Sequence, residues 1–127
     1  MGEQLKGTIP AEIGALDGLT YLSLYDNQIR GHLPSEIGRL TSLKELYLDS
    51  NRLKGPLPAE LGALTALKRL YLHDNNFIGE IPSTLANLTN LDILSLSNNN
   101  FDTDVPSDLI DDKDETQEYL ASLVART

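Results

Sequence analysis

Stepping through the sequence by 24 residues from Asp49 meets His73 and then Ser97, an acid, an imidazole and a hydroxyl in regular order. In "LYLHDNN", at 70–76, the same histidine stands beside Asp74 and two positions after Tyr71. Acid, imidazole and hydroxyl are the parts of an acyl-transfer relay, in which the imidazole takes the hydroxyl proton and the acid orients the imidazole. That chemistry also needs donors for a developing oxyanion and a pocket that excludes water. An open sheet of parallel strands supplies neither, so the meaning of the three residues depends on what sets their spacing.

The spacing belongs to the whole chain. Pro10, Pro34, Pro58, Pro82 and Pro106 are each 24 residues apart, and Asn27, Asn51, Asn75 and Asn99 keep the same step. Between them run "LTYLSLYDNQIRGHLPSEIGRLTS", "LKELYLDSNRLKGPLPAELGALTA", "LKRLYLHDNNFIGEIPSTLANLTN" and "LDILSLSNNNFDTDVPSDLI", which share the frame LxxLxLxxNxLxGxIPxxLGxLxx. Self-similarity at such a period marks an array in which each unit buries its apolar face only by stacking on its neighbours.

On these residues the chain resembles the leucine-rich repeat family, and the LxGxIP segment is similar to the plant-specific repeat class. The resemblance covers residues 5 to about 110 and recurs in units starting at 19, 43, 67 and 91, after a half-unit at 5–18. It implies an α/β solenoid, a right-handed arc with a parallel concave β-sheet and short 3₁₀ turns on the convex side. It also implies protein recognition on the concave face.

The residues carry the same picture unaided. Leu22 and Leu24, Leu46 and Leu48, Leu70 and Leu72, and Leu94 and Leu96 alternate with polar neighbours, the period of a half-buried strand. Each Asn then falls where the chain bends inward, and is expected to satisfy backbone groups of the next coil. Gly7, Gly31, Gly55 and Gly79 precede the Ile-Pro or Leu-Pro step and suit unusual torsions; Thr103 interrupts that column. "NLT" at 87–89 fits a glycosylation acceptor, but the same Leu-Thr fills the frame at Leu40-Thr41 and Leu64-Thr65, so it reads as part of the repeat.

The rhythm stops where Asp112 and Glu115 replace the next apolar positions. Residues 1–110 are therefore read as the array and 111–127 as an acidic helical cap. Asp114 is the expected N-cap, with Gln117 three residues on. Tyr119, Leu120, Leu123 and Val124 share a face toward the last coil, with Arg126 near the C-terminal dipole. At the other end Glu3 stands where the Asn column would begin, and the strand at 19–24 is an open edge. Such an edge invites association, so a homodimer through the N-terminal end is expected.

Composition narrows the functions. The formal charge is −9, and residues 102–127 hold eight acids against Lys113 and Arg126, which disfavours nucleic acid. There is no Cys and there are two His, so neither a metal centre nor any other cofactor is expected. No run approaches the roughly 20 apolar residues of a membrane span. Absence of Cys and of a signal-like start agrees with a cytoplasmic setting, whereas a piece of a receptor would be extracellular.

On the concave face the outward strand positions form columns. They read Thr20, Lys44, Lys68, Asp92; then Tyr21, Glu45, Arg69, Ile93; then Ser23, Tyr47, Tyr71, Ser95; then Tyr25, Asp49, His73, Ser97. Four of the five tyrosines lie here. Tyrosine and arginine are enriched where proteins bind, so the contact candidates are Tyr21, Tyr25, Glu45, Tyr47, Asp49, Arg69, Tyr71 and His73. His32, in "RGHLP", falls off this sheet. The reading is a non-catalytic module binding a protein or peptide. The alternatives are a structural unit that assembles through its ends, or a fragment of a larger leucine-rich-repeat signalling protein.

Overall fold

The computed structural model describes residues 4–106 and 110–125. Its strands, in chain order, are β1 (Lys6–Gly7), β2 (Tyr21–Ser23), β3 (Gln28–His32), β4 (Glu45–Tyr47), β5 (Arg52–Pro56), β6 (Arg69–Tyr71), β7 (Asn76–Gly79), β8 (Ile93–Ser95) and β9 (Asn100–Phe101). They alternate between two parallel sheets. β2-β4-β6-β8 form the expected recognition sheet, in which Leu22, Leu46, Leu70 and Leu94 share one register row. The sequence reading opened these strands at the Leu19 position, but they are shorter. The Leu19, Leu43, Leu67 and Leu91 amides still donate to Leu16, Leu40, Leu64 and Leu88, closing the preceding turn.

The second sheet, β1-β3-β5-β7-β9, was not foreseen. It is built from the LxGxIP segments, where apolar Ile29, Leu53 and Phe77 point inward while their neighbours Arg30, Arg52, Lys54 and Ile78 are exposed. It also gives the half-unit at 5–18 a strand of its own, β1, paired with β3. Gly7, Gly31, Gly55 and Gly79 have φ of 93°, 84°, 76° and 79°, as the LxG step requires. Asp26, Ser50, Asp74 and Asn98 also have positive φ, from 56° to 58°, at the corner just before each ladder Asn.

Proline opens each 3₁₀ turn on the far side: Ala11–Ala15, Ser35–Arg39, Ala59–Ala63 and Ser83–Asn87. The turns stack backbone to backbone. A Cβ on Gly38 would sit 2.6 Å from the Glu60 carbonyl, so that position admits only glycine. Inside, the leucines of the middle coils, such as Leu43, Leu46, Leu67 and Leu70, are fully buried, whereas Leu19, Leu22 and Leu24 of the first coil are partly open.

The asparagines reach backward, contrary to the expected pairing with the next coil. Asn51 Oδ1 accepts from the Ile29 amide (3.1 Å), and its Nδ2 donates to Leu24 O (2.9 Å), Leu48 O (3.1 Å) and Asp49 O (3.2 Å). Asn75 and Asn99 repeat the pattern. The direction follows from the positive-φ corner, which turns the carboxamide toward the coil already laid down.

Helix α1 (Lys113–Ala125) closes the array. Its cap is Asp112 rather than Asp114: Asp112 Oδ1 accepts from the Asp114 and Glu115 amides at 2.8 and 3.1 Å, because the helix starts at Lys113 and not at Glu115. Leu120 and Leu123 are buried and Tyr119 partly so, but Val124 is 53% exposed. Polar residues take part in the contact instead. Thr116 Oγ1 donates to Asp92 O (2.9 Å), and Gln117 Nε2 donates to Leu88 O (3.0 Å) and Leu91 O (2.9 Å). These carbonyls face the side on which a further coil would stack, and the helix satisfies them. Ile110 pairs antiparallel with Leu94, by 3.0 Å bonds in both directions, and so occupies the outer edge of β8. Glu3 and Arg126 lie outside the described residues.

Loss of the Asn51 carboxamide orphans buried groups on two coils. Asn51→Ala is expected to cost roughly 2–4 kcal/mol in denaturant unfolding. Asn27→Ala should cost less, because among the described residues Asn27 bonds Leu5 N, Leu24 O and Tyr25 O, largely at the exposed end. Equal losses would mean the ladder contributes no cumulative support.

Candidate functional site

The outward face of β2-β4-β6-β8 gathers most of the residues singled out by their type. Tyr47 and Tyr71 are register partners, and their rings lie 4.7 Å apart at 54°. Tyr21 joins diagonally, 5.6 Å from Tyr47, and the His73 ring sits 5.9 Å from Tyr71. The four rings form one unbroken oblique row across the coils. Tyr25, just beyond β2, is 57% exposed and takes no part in a ring pair.

Polar groups brace the row. The Tyr47 hydroxyl donates to Glu45 Oε1 at 2.5 Å. Burial is the main cause raising the Tyr47 pKa above its ordinary value, followed by the Glu45 hydrogen bond, while Arg69 on the next strand acts in the opposite sense. Hydrogen bonding to Tyr47 in turn raises the Arg69 pKa. Glu45, Tyr47 and Arg69 are thus one interacting group.

The acid, imidazole and hydroxyl do meet, with a different serine. Ser95 Oγ, not that of Ser97, lies 2.7 Å from His73 Nδ1, while His73 Nε2 is 3.6 Å from Asp49 Oδ2. The reason is volume. Ser95 shares its register row with Tyr47 and Tyr71, and a serine there leaves room on β8 where another ring would stand; the His73 side chain folds into it. The repeat frame paired His73 with the residue 24 positions on, and only side-chain size could have redirected it. Ser95 is 4% exposed, so its hydroxyl is placed to hold the imidazole and is poorly placed to meet a substrate carbonyl.

Asp49 carries the strain of the site. Its Oδ1 is buried without a hydrogen-bond partner. Loss of hydration on folding raises its pKa above the ordinary 3.8; its own backbone and His73 oppose the rise, and Asp74 and Asp26 add to it. Asp74 itself accepts from Asn98 Nδ2 at 2.7 Å. Sequence reasoning set Asp74 beside His73 but did not connect Asp26 to this group; both acids occupy the positive-φ corner, and both act on Asp49. Among the described residues, no group of three or more His, Cys, Asp or Glu is placed to hold a metal ion.

Parallel sheets stacked coil upon coil by asparagines, with one open face of rings, define a leucine-rich-repeat solenoid. The chain belongs to the leucine-rich-repeat family: the model of a leucine-rich repeat region matches residues 3–118. Among solved structures it is similar to the ectodomain of the Arabidopsis thaliana membrane receptor kinase GASSHO1/SCHENGEN3 in complex with CASPARIAN STRIP INTEGRITY FACTOR 2 (41% identity, TM-score 0.76, 77% of this chain and 12% of that one). It is also similar to the ectodomain of the Arabidopsis receptor kinase HAESA bound to a peptide hormone (39%, TM-score 0.75, 77% and 17%). A plant ice-binding protein matches too (39%, TM-score 0.73, 78% and 32%). This chain therefore spans a minor part of each. A comparison with curated proteins gives no match.

The buried Asp49 carboxylate sets a pH-dependent expectation. A folded-state pKa raised by desolvation means that the ionised form costs stability, and that cost is removed as pH falls through the raised value toward the ordinary 3.8. Asp49→Asn should raise the thermal midpoint at pH 7 and lose that advantage near pH 3.5. A constant difference at both pH values would place the effect elsewhere.

Proposed function

We propose that this chain is a non-catalytic binding module that docks an extended peptide or protein segment across the β2-β4-β6-β8 face. The observation that supports this best is the oblique row Tyr21, Tyr47, Tyr71 and His73. Ring pairs of this kind stabilise a sheet by about 0.5–1.5 kcal/mol each, so packing accounts for part of the row. It does not account for Tyr21 and Tyr25 standing 54% and 57% exposed at its end. Rigid rings beside charged groups are the usual makings of a binding hot spot, and here Glu45, Asp49 and Arg69 lie alongside them. Receptor ectodomains with this fold have been solved in complex with peptide ligands, which points to the same use. In this reading Ser95 and Asp49 position His73 as a contact residue.

The test is a peptide selected from a random display library on the immobilised wild-type chain. The Tyr47→Ala/Tyr71→Ala double variant, with an unchanged circular dichroism spectrum, should bind that peptide at least about tenfold more weakly. Undiminished affinity would remove the recognition face from consideration.

A second reading concerns the ends. Of the exposed large apolar side chains, Leu5, Leu16, Tyr21 and Tyr25 cluster on the first coil, and β2 is the outermost strand of its sheet among the described residues. Two copies meeting there would bury this surface about a two-fold axis. Sedimentation should then show association that grows with concentration and disappears in Leu5→Asp/Leu16→Asp. A strict monomer at high micromolar concentration would dismiss this reading and leave the first one standing.

A further inference from the structure

The second sheet presents a different chemistry on its outward side. Lys6 on β1, Arg30 and His32 on β3, and Arg52 and Lys54 on β5 are all exposed. Register sets Arg30 directly opposite Arg52 and His32 directly opposite Lys54. Like charges facing each other across a ladder destabilise the sheet. Among the described residues, none of these five side chains makes a hydrogen bond or ion pair; the one ion pair is His73 with Asp49. His32 is packed over Gly55, whose missing Cβ leaves room for its ring. In a chain of net charge −9, four of the ten Lys and Arg therefore stand on one sheet face with no counter-charge paired to them among the described residues. The corresponding positions of the later coils are Ile78, Glu80, Asp102 and Asp104, so the face turns from basic to acidic along the array.

We propose that this basic sheet face is a second docking surface, whose partner is a short extended protein segment with acidic residues at alternate positions. The grid supplies the geometry. Cations two residues apart on one strand are separated by about 6.6 Å, and those on adjacent strands by about 4.8 Å. An extended peptide places every second side chain on one side at the same interval, so acid-x-acid laid along β5 sets its carboxylates over Arg52 and Lys54. Arg30, on the neighbouring strand, is within reach of the first of them, and the planar guanidinium forks suit carboxylate oxygens. The extent of the patch selects a short partner. It spans three strands, roughly 10 Å, which is about one screening length at physiological salt. A long polyanion would run on over Glu80, Asp102 and Asp104 and be repelled there. The surface uses no residue of the tyrosine row and stands whether or not that row binds a ligand.

The test uses the full chain and two labelled octapeptides of equal charge, one alternating Ser and Glu and one with its four glutamates contiguous, read by fluorescence anisotropy at low and at physiological salt. The alternating peptide should bind more tightly. Arg30→Gln/Arg52→Gln should weaken it about tenfold or more, while Tyr47→Ala/Tyr71→Ala leaves it unchanged. The same Arg30→Gln/Arg52→Gln chain should melt at an equal or higher temperature in low salt, since it removes facing like charges; this also shows that it is folded. Equal binding of the two peptides, or binding that survives the arginine substitutions, would overturn the proposal. Tighter binding of an oligogalacturonate or heparin fragment than of the alternating peptide would also overturn it, and would give the face to acidic glycans.

Discussion

Every coil of this protein must turn its backbone inward once, and the amides and carbonyls at that turn enter a core made almost wholly of leucine. The asparagine carboxamide answers that constraint. One side chain accepts from an amide of the coil before it and donates to carbonyls of two coils at once, as Asn51 and Asn75 do. Neither leucine packing nor sheet pairing could be realised without it, because a buried polar group left unpaired costs more than a typical hydrogen bond returns. The positive-φ corner at Asp26, Ser50, Asp74 and Asn98 serves the same end, since it aims the carboxamide backward. Asp26 and Asp74 at that corner act on Asp49, so the electrostatics of the tyrosine face are tied to the device that satisfies the core.

Much of this was legible in the residues. The 24-residue frame located the strands of the tyrosine face, the Asn column and the glycine torsions, because each depends on a local pattern repeated four times, and the terminal helix showed where that frame breaks off. The tyrosines could be placed on one face because alternation along a strand sorts side chains into two sides. What escaped had no local signature. The second sheet is made of pairs of coils, and segments such as "NRLKGPLP", with Gly and Pro inside them, carry little of the usual strand preference. The direction of the Asn bonds depends on a torsion two residues wide. Val124 was grouped with the buried helix face by spacing, yet the contact is shared with Thr116 and Gln117, whose value lies in carbonyls that only the end of an array exposes.

The His73 group shows how a repeat misleads a reader looking for chemistry. The frame put Asp49, His73 and Ser97 in one column, and the assembled sheet joins Asp49 and His73 to Ser95. Stacking order is set by backbone register, but contact is set by side-chain volume, and the absence of a ring at Ser95 opened the space that His73 took. All three relay parts are thereby buried or engaged.

The two ends of the solenoid are sealed unequally, and this gives it a direction. At one end Ile110 occupies the edge of β8 and the helix covers the carbonyls of the last turn. At the other, β2 is the outermost strand of its sheet among the described residues, and the first leucines are half open. A stack that behaves as a one-dimensional chain of neighbours loses its units from the weaker terminus. Where no further coil covers the first one, thermal fraying runs from that coil inward, and Tyr21 departs from the row before Tyr47 and Tyr71 do. The tyrosine row then shortens by one ring while the rest stays folded, so its length is a fluctuating quantity governed by how firmly the first coil is held.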